Sequence, residues 1–453
     1  DADIPNVGGW KDIAPRHSMA YRMQHRVRNT VIYVLVAALA FVGTAAAATL
    51  LDINGTIKDG EVKIIPQKGQ KEPKLIDPNA GKPIELLVMG QDTRDGADNA
   101  SIGGGDTSEG SHQADTTMVV QISADRSYIN LVSIPRDSLV DAPSCETSKG
   151  TISAQYNVMF NSIFANGYTT GDDLASAASC TVNAVNSLTG LNIQNFIVVD
   201  FNGLKDMINA IGGVKICIPS DVKDPYTGLD LTKGLHQLDG LAATQYARTR
   251  YSLGDGSDVQ RTTRQQYLIK QLLQQALDKN IFTHTSELYQ LAKSALKSLN
   301  ISQGLADTAT LAGLAMSLKN LNVSHMYTRT LPVVQAPSDP NRVVWDSSAD
   351  ELWTKMREGK PFVEQPAQDS SSSDSANTNN DSSNTSDQAQ DSTPSDQDNA
   401  QATPQNTRVA DGVEKTADGK YIDTATGGEI DTETGAVKDI NTGQVLGISE
   451  AYL

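Results

Sequence analysis

Two aspartates and a run of arginines are the residues in this sequence whose types and spacing could do chemistry. Asp92 closes an apolar stretch in Met89-Gly90-Gln91-Asp92-Thr93-Arg94, and Asp115 opens the next one after a Gly/Ser-rich loop. Ser133-Ile134-Pro135-Arg136-Asp137 follows, then Ala247-Arg248-Thr249-Arg250, then Asp258-x-x-Arg261-x-x-Arg264-Gln265-Gln266. Two carboxylates without a companion His or Cys suit an oxygen-preferring ion, Mg2+ with Mn2+ as a substitute, which also takes phosphate oxygens. Guanidinium forks bind phosphate bidentately and keep their charge at any relevant pH. Arg248 and Arg250 alternate, so on an extended segment they share one face. Arg261 and Arg264 are neighbours on one helix face. Asp92 and Asp115 on a metal, with these arginines converging, describe a pyrophosphate site.

Singly, each piece has a plain structural use. Arg-x-Arg serves as a solvated edge, Arg-x-x-Arg as a salt-bridged helix face, and an Asp after a strand as the cap of the next helix. Asp137 reads as the partner of a neighbouring arginine rather than a base. The conjunction, in this order, carries the functional reading.

The elements that must position these residues are legible as apolar runs. IELLVMG (84–90), TMVVQIS (117–123), YINLVSI (128–134), NFIVVD (195–200) and VKICIP (214–219) are short, β-branched and bounded by polar residues, as buried strands are. Helical spacing appears in Asp172–Leu188 and in Asp258–Leu277, where Leu268, Leu272 and Ala276 recur at four-residue steps. Further helices are expected near 285–299, 303–320 and 348–358, with a strand near 323–330. Strands alternating with helices predict an α/β domain with helices on both sheet faces. Ligands in such sheets bind beyond the carboxyl ends of the strands, where Asp92 and Arg136 fall.

This region resembles LytR-CpsA-Psr domains, from Ile84 to about Asn280 with continuation towards Pro366. The resemblance rests on LLVMGQDTR, ADTTMVVQI, NLVSIPRDSLV, MFNSIFANG, VVDFNGLKDMINAIGGVKI, LDGLAATQYARTR and SDVQRTTRQQ. It implies a layered α/β/α domain with a central mixed sheet and a hydrophobic tunnel for a polyprenyl chain. It also implies Mg2+-assisted transfer of a phosphoglycopolymer from polyprenyl pyrophosphate to a peptidoglycan hydroxyl. By motif, Asp92 and Asp115 fall on the metal. Arg94, Arg136, Arg248, Arg250, Arg261, Arg264 and Gln265 fall on the pyrophosphate, and Asp92, Arg136, Arg248 and Arg250 are the expected catalytic set. Met159, ahead of Phe160-Asn161, stands where many family members carry a basic residue. The long Asp92–Asp115 loop is a second departure. Rival readings are a polyprenyl-pyrophosphate-sugar hydrolase and an anchored, non-catalytic wall-binding or regulatory protein.

The remaining chain sets the compartment. Thr30–Leu51 carries no charge. As a helix it would reach about 33 Å, enough for the ~30 Å hydrocarbon core of a bilayer. A secretory signal peptide is the competing reading, although its apolar region would be shorter. Lys11, Arg16, Arg22, Arg26 and Arg28 precede the span, which keeps residues 1–29 cytoplasmic and everything after Asp52 outside. The expected product is a single-pass protein of the cell membrane whose catalytic domain is extracytoplasmic, with the lipid membrane among its partners. Residues 52–82 read as a stalk, 83–366 as the catalytic domain, and 367–406, nearly all Ser, Asp, Asn, Gln and Thr, as a disordered acidic linker. In 407–453 the pairs Asp418-Gly419, Thr426-Gly427, Thr434-Gly435 and Thr442-Gly443 recur every eight residues, which predicts a hairpin meander. Its Asp423, Asp431 and Asp439 read as solvated turn acids rather than calcium ligands. A net charge of −17 argues against nucleic acid as a partner. Of the three cysteines, Cys145 and Cys180 are the expected disulfide in an oxidising compartment, and Cys217 lies in an apolar strand.

Overall fold

The computed structural model describes residues 51–68, 75–93, 102, 112–218, 220–250, 258–278, 293, 296–297, 299–319, 321–363, 407–410, 413–416, 418–423, 427–430, 436–438, 440 and 445–448. The expected membrane span, apart from Leu51, lies outside these residues, as do Arg94, the linker 367–406, and Asp431 and Asp439. Among the described residues no helix is long and apolar enough to cross a membrane. The chain divides into two units, Asp1–Asp59 and Gly60–Leu453. In the first, residues 51–59 are helical, and the Thr56 hydroxyl donates to the Asp52 carbonyl at 3.0 Å.

The second unit is built on a seven-stranded sheet. Its strands are β1 (Glu61–Val62), β2 (Ile84–Asp92), β3 (Gln113–Ile122), β4 (Ile129–Ile134), β5 (Asn195–Val199), β6 (Asn300–Ser302) and β7 (Met326–Thr330). They lie in the order β1-β6-β5-β2-β3-β4-β7. Pairs β1–β6, β5–β2 and β4–β7 are parallel and pairs β6–β5, β2–β3 and β3–β4 antiparallel, so the sheet is mixed. The β-branched and apolar runs alternate as the pleat requires. Leu87, Met89, Val119, Val132, Phe196 and Val198 point into one core. Helices α1 (Phe160–Gly171), α2 (Leu174–Thr189) and α7 (Ala349–Arg357) supply Phe164, Val185 and Trp353 to that core. A second apolar cluster joins α3 (Phe201–Ala210), α4 (Gly240–Arg248) and α5 (Asp258–Asp278) through Ile208, Ala243, Leu268 and Leu272. Helix α6 (Thr308–Leu318) follows β6 and is capped by Asp307.

Local chemistry explains the helix starts. Asp173, Asp200, Asp239 and Asp307 each cap a helix with a side-chain oxygen, satisfying a backbone N–H that the helix leaves open. Cys145, at the edge of a small hairpin, is joined to Cys180 of α2 with their Cα atoms 5.4 Å apart. Cys217 is buried, and burial pushes its thiol pKa up.

Two sequence readings change. The stalk expected over 52–82 is not one from Gly60 onward: β1 pairs with β6, the Ile65 N–H donates to Ser179 Oγ at 3.0 Å, and the Ile76 N–H donates to Gly304 at 3.0 Å. Val62 and Ile64 alternate as strand residues do, and a sheet edge offers their backbone the partners that a linker would leave to water. The run Val214–Ile218 is the buried strand expected, and it pairs with Gly234–Leu238 in a ribbon outside the main sheet. Arg248 closes helix α4 instead of lying on an extended segment with Arg250, because the Ala-rich run after the Asp239 cap favours helix.

The eight-residue repeat folds as the spacing predicts, into an antiparallel meander of six strands from Thr407–Ala410 to Val445–Ile448. Gly419 and Gly427 take left-handed φ values of +87° and +69° at two of the expected turns. The last strand lies against α5.

Candidate active site

The antiparallel order of β2, β3 and β4 brings the end of β2, the start of β3 and the end of β4 to one edge of the sheet. Asp92 is the last residue of β2 and pairs in register with Gln113. Between Gly90↔Thr116 and Gln91↔Ala114 the register shifts, leaving Asp115 as the extra residue of a bulge. A bulge re-aims a side chain that strict alternation would send elsewhere. Asp115 Oδ2 meets Arg136 Nη1 at 2.5 Å, just past the end of β4. Arg261 on α5 donates from Nη2 to the Asp115 carbonyl at 2.9 Å.

Helix α5 presents an unusual inner face. Arg261, Thr262, Thr263, Arg264, Gln265 and Gln266 are consecutive, polar and buried. A helix that buries polar groups must bond them, and these reach the edge just described and the backbone on either side of Arg248. Gln266 Nε2 donates to Ser133 Oγ of β4 at 2.8 Å and to Thr330 Oγ1 of β7 at 3.1 Å. Thr116 Oγ1 donates to Gln265 Oε1 at 2.9 Å, while Gln265 Nε2 donates to the Ala247 carbonyl at 3.1 Å. Arg264 Nη2 donates to the Thr249 carbonyl. The two carbonyls flanking Arg248 are therefore both held by α5. The Arg248 guanidinium lies over the Phe201 ring, 4.3 Å from its centroid, and donates to the Ile102 carbonyl. On β2, a Cβ at Gly90 would come 3.0 Å from Thr116 Cβ, so the glycine leaves room for the side chain that bonds Gln265.

Of the residues expected from sequence, Asp115, Arg136 and Arg261 meet directly. Arg264 and Gln265 contact the backbone around Arg248 rather than the sheet-edge carboxylates. Arg250 follows two residues after the end of α4 and is partly exposed. Sequence reading missed Arg342, which reaches Asp137 Oδ1 at 3.0 Å from the hairpin of Val333–Ala336 and Asp339–Trp345, while Arg136 Nε lies 3.8 Å from Asp137 Oδ2. It also missed the pair beside Asp92, in which Gln91 Nε2 donates to His112 Nδ1 at 2.8 Å and the His112 ring stacks on Tyr168. No spacing in the sequence marks either group. On α4, burial pushes the Tyr246 phenol well up against the opposing pull of Arg264, so it carries no charge to offset the arginines.

The donor chemistry fits Mg2+ held jointly with a phosphate ligand. Two carboxylates are available, and Asp115 Oδ1 is buried with no hydrogen-bond partner among the described residues. Among those residues no group of three or more His, Cys, Asp and Glu could cage a metal by itself. Mg2+ commonly takes one or two carboxylates and completes its shell with substrate phosphate and water.

The model of the LytR_cpsA_psr family matches residues 49–358. The chain is 27% identical over 310 residues to the cell wall biosynthesis protein LcpA of Corynebacterium glutamicum, covering 65% of this chain and 58% of that protein. It is 24% identical over 303 residues to TagT of Bacillus subtilis, a polyisoprenyl-teichoic acid–peptidoglycan teichoic acid transferase, covering 65% of this chain and 82% of that one. It spans 58%, 60% and 62% of the lengths of LcpA, LcpB and the Enterococcus faecalis TagU. Among solved structures, protein gbs0355 of Streptococcus agalactiae superposes with a TM-score of 0.51 at 19% identity, over 64% of this chain and 91% of that one, a likeness of fold.

Proposed function

The chain belongs to the LytR_cpsA_psr family, and from that membership and the arginine-lined edge we propose that it transfers a phosphoglycopolymer from a polyprenyl-pyrophosphate carrier to a peptidoglycan hydroxyl. The observation that carries this reading is the meeting of Arg136 and Arg261 on Asp115 where β2, β3 and β4 share an edge. Names of relatives such as TagT and TagU point the same way.

Phosphoryl transfer asks little covalent chemistry of a protein and much positioning. Arg136, Arg248 and Arg250 bind the diphosphate oxygens and stabilise the charge that spreads as the bond to the carrier phosphate breaks. Arg261 and Arg264 fix the Asp115 and Thr249 backbones, and Gln265 fixes Ala247, so that the charged groups do not have to reorganise during the reaction. Asp92 and Asp115 would hold Mg2+, which when bound neutralises part of the diphosphate charge. The acceptor hydroxyl attacks the sugar-linked phosphorus in line, the diphosphate P–O bond breaks, and the hydroxyl proton is balanced on the departing polyprenyl phosphate. Residues 30–51, free of charge, would anchor the chain in the membrane where the carrier lipid resides.

The test is direct. The full chain is incubated with a polyprenyl-pyrophosphoryl oligosaccharide, peptidoglycan fragments and Mg2+, and products are separated with and without acceptor. Sugar phosphate joined to peptidoglycan supports the proposal. Release of free sugar phosphate at the same rate in both arms would make the protein a hydrolase.

A further inference from the structure

The carboxylate assigned above to a metal ion is already engaged in an ion pair. Asp115 Oδ2 lies 2.5 Å from Arg136 Nη1, and both side chains are shielded, at 17% and 19% exposure. Asp115 Oδ1 is buried without a hydrogen-bond partner among the described residues. Beyond Arg136, Asp137 lies 3.8 Å from Nε and receives Arg342 at 3.0 Å. Asp115, Arg136, Asp137 and Arg342 thus run in alternating charge across β3, the end of β4 and the 333–345 hairpin.

Such a chain has a consequence for ligands. A dication at Asp115 and a guanidinium donating into the same carboxylate compete for one set of lone pairs, and at this range they also repel. Without ligands, the pairing keeps either group from being a buried, uncompensated charge. A diphosphate changes the balance, because it offers acceptor oxygens to the guanidinium and the metal alike.

We propose that Arg136 is a place-holding counter-ion for Asp115: metal entry displaces it, and the released guanidinium turns to the diphosphate. This rests on the reading of the edge as a metal–diphosphate site. Metal and phosphoanion then bind with positive cooperativity, each easing the other's entry. Arg342 is a positioning residue: by holding Asp137 beside Arg136 it keeps the released guanidinium within reach of the ligand.

The experiment measures Mn2+ binding to the full chain from the free-ion electron paramagnetic resonance signal, with sulfate as a weakly chelating anion probe. Arg136→Ala is expected to bind Mn2+ about tenfold more tightly than the unaltered chain, a shift within the usual range of site coupling. Arg248→Ala, which removes a charge not bonded to Asp115, should change Mn2+ affinity by less than about twofold. In the unaltered chain sulfate should tighten Mn2+ binding, an effect lost in Arg136→Ala and weakened in Arg342→Ala. Melting temperatures confirm that each variant is folded. Equal or weaker Mn2+ binding by Arg136→Ala overturns the exchange while leaving the metal site in place. Unchanged Mn2+ binding by Asp115→Asn removes the metal assignment itself, a distinct failure that also ends the proposal.

Discussion

Arg136 and Arg261 reach the same aspartate, yet their removal should have different effects. The Arg136 side chain is 19% exposed and supports no apolar core. Arg136→Ala should fold, while transfer falls about a hundredfold, the scale on which one preorganised charge-stabilising donor acts. Arg136→Lys should rescue poorly, because a point charge lacks the bidentate fork. Arg261 is 5% exposed and bonds the Asp115 carbonyl, so Arg261→Ala should lose stability as well as rate, by about 1–3 kcal/mol for the unsatisfied acceptor. Paired measurements of melting temperature and single-turnover transfer separate the two cases. Away from the site, Asp173 caps α2 by accepting from the Ser176 N–H at 2.6 Å. Burial alone would raise its pKa, but hydrogen bonds from Ser148 and Ser176 outweigh burial and hold it below the ordinary value. Its stabilisation is therefore present above the unfolded aspartate value near 3.9 and is lost as pH falls through the lower native value. Asp173→Ala should cost about 1 kcal/mol at pH 7 and progressively less below about pH 4, which denaturant titrations at several pH values would show.

At the scale of elements, helices α1 and α2 meet closely enough that side chains decide the packing. A Cβ added at Gly167 would lie 2.8 Å from Ala177 Cα and 2.9 Å from the Ser176 carbonyl oxygen, all in helix. Gly167→Ala should destabilise the domain by about 1–3 kcal/mol despite its better helix propensity, because backbone, not a mobile side-chain tip, would have to move. A calorimetric melt of the variant gives the answer, and a stabilised protein would contradict the packing. The same two-helix layer is tied to the hairpin before it by Cys145–Cys180, which closes a loop of sequence separation 35. Replacing both cysteines by serine should cost about 2–4 kcal/mol, read as a shift in denaturant midpoint at unchanged slope. The strand runs were legible because apolar period and flanking turns are local properties. The β3 bulge was not, since an extra residue exists only relative to the strand beside it. Arg248 was misplaced for a similar reason: alternation with Arg250 suggested extension, while the cap at Asp239 and the Ala-rich run after it make a helix that ends on that arginine.

For the whole molecule, composition separates what packs from what does not. Deleting residues 367–406, which carry almost no apolar side chains, should shift the melting temperature by no more than a few degrees. Truncation at Pro366 should cost more, because the C-terminal meander buries Val413, Ile430 and Val437 and its last strand lies against α5. The meander was readable from an eight-residue period of turn pairs, since each turn is set by two adjacent residues. The helix caps, the apolar strands and the motif set around Asp92, Arg136, Arg248 and Arg261 were likewise present in the sequence. Tertiary structure alone decided that residues after Gly60 join the sheet edge, that Val214–Ile218 pairs with Gly234–Leu238, and which arginine touches which acid. Arg136 and Asp115 are 21 residues apart, and Arg342 and Asp137 are 205 apart. Period, propensity and turn chemistry act over a few residues, whereas a pairing across such distances is settled by the joint packing of every strand and helix between them.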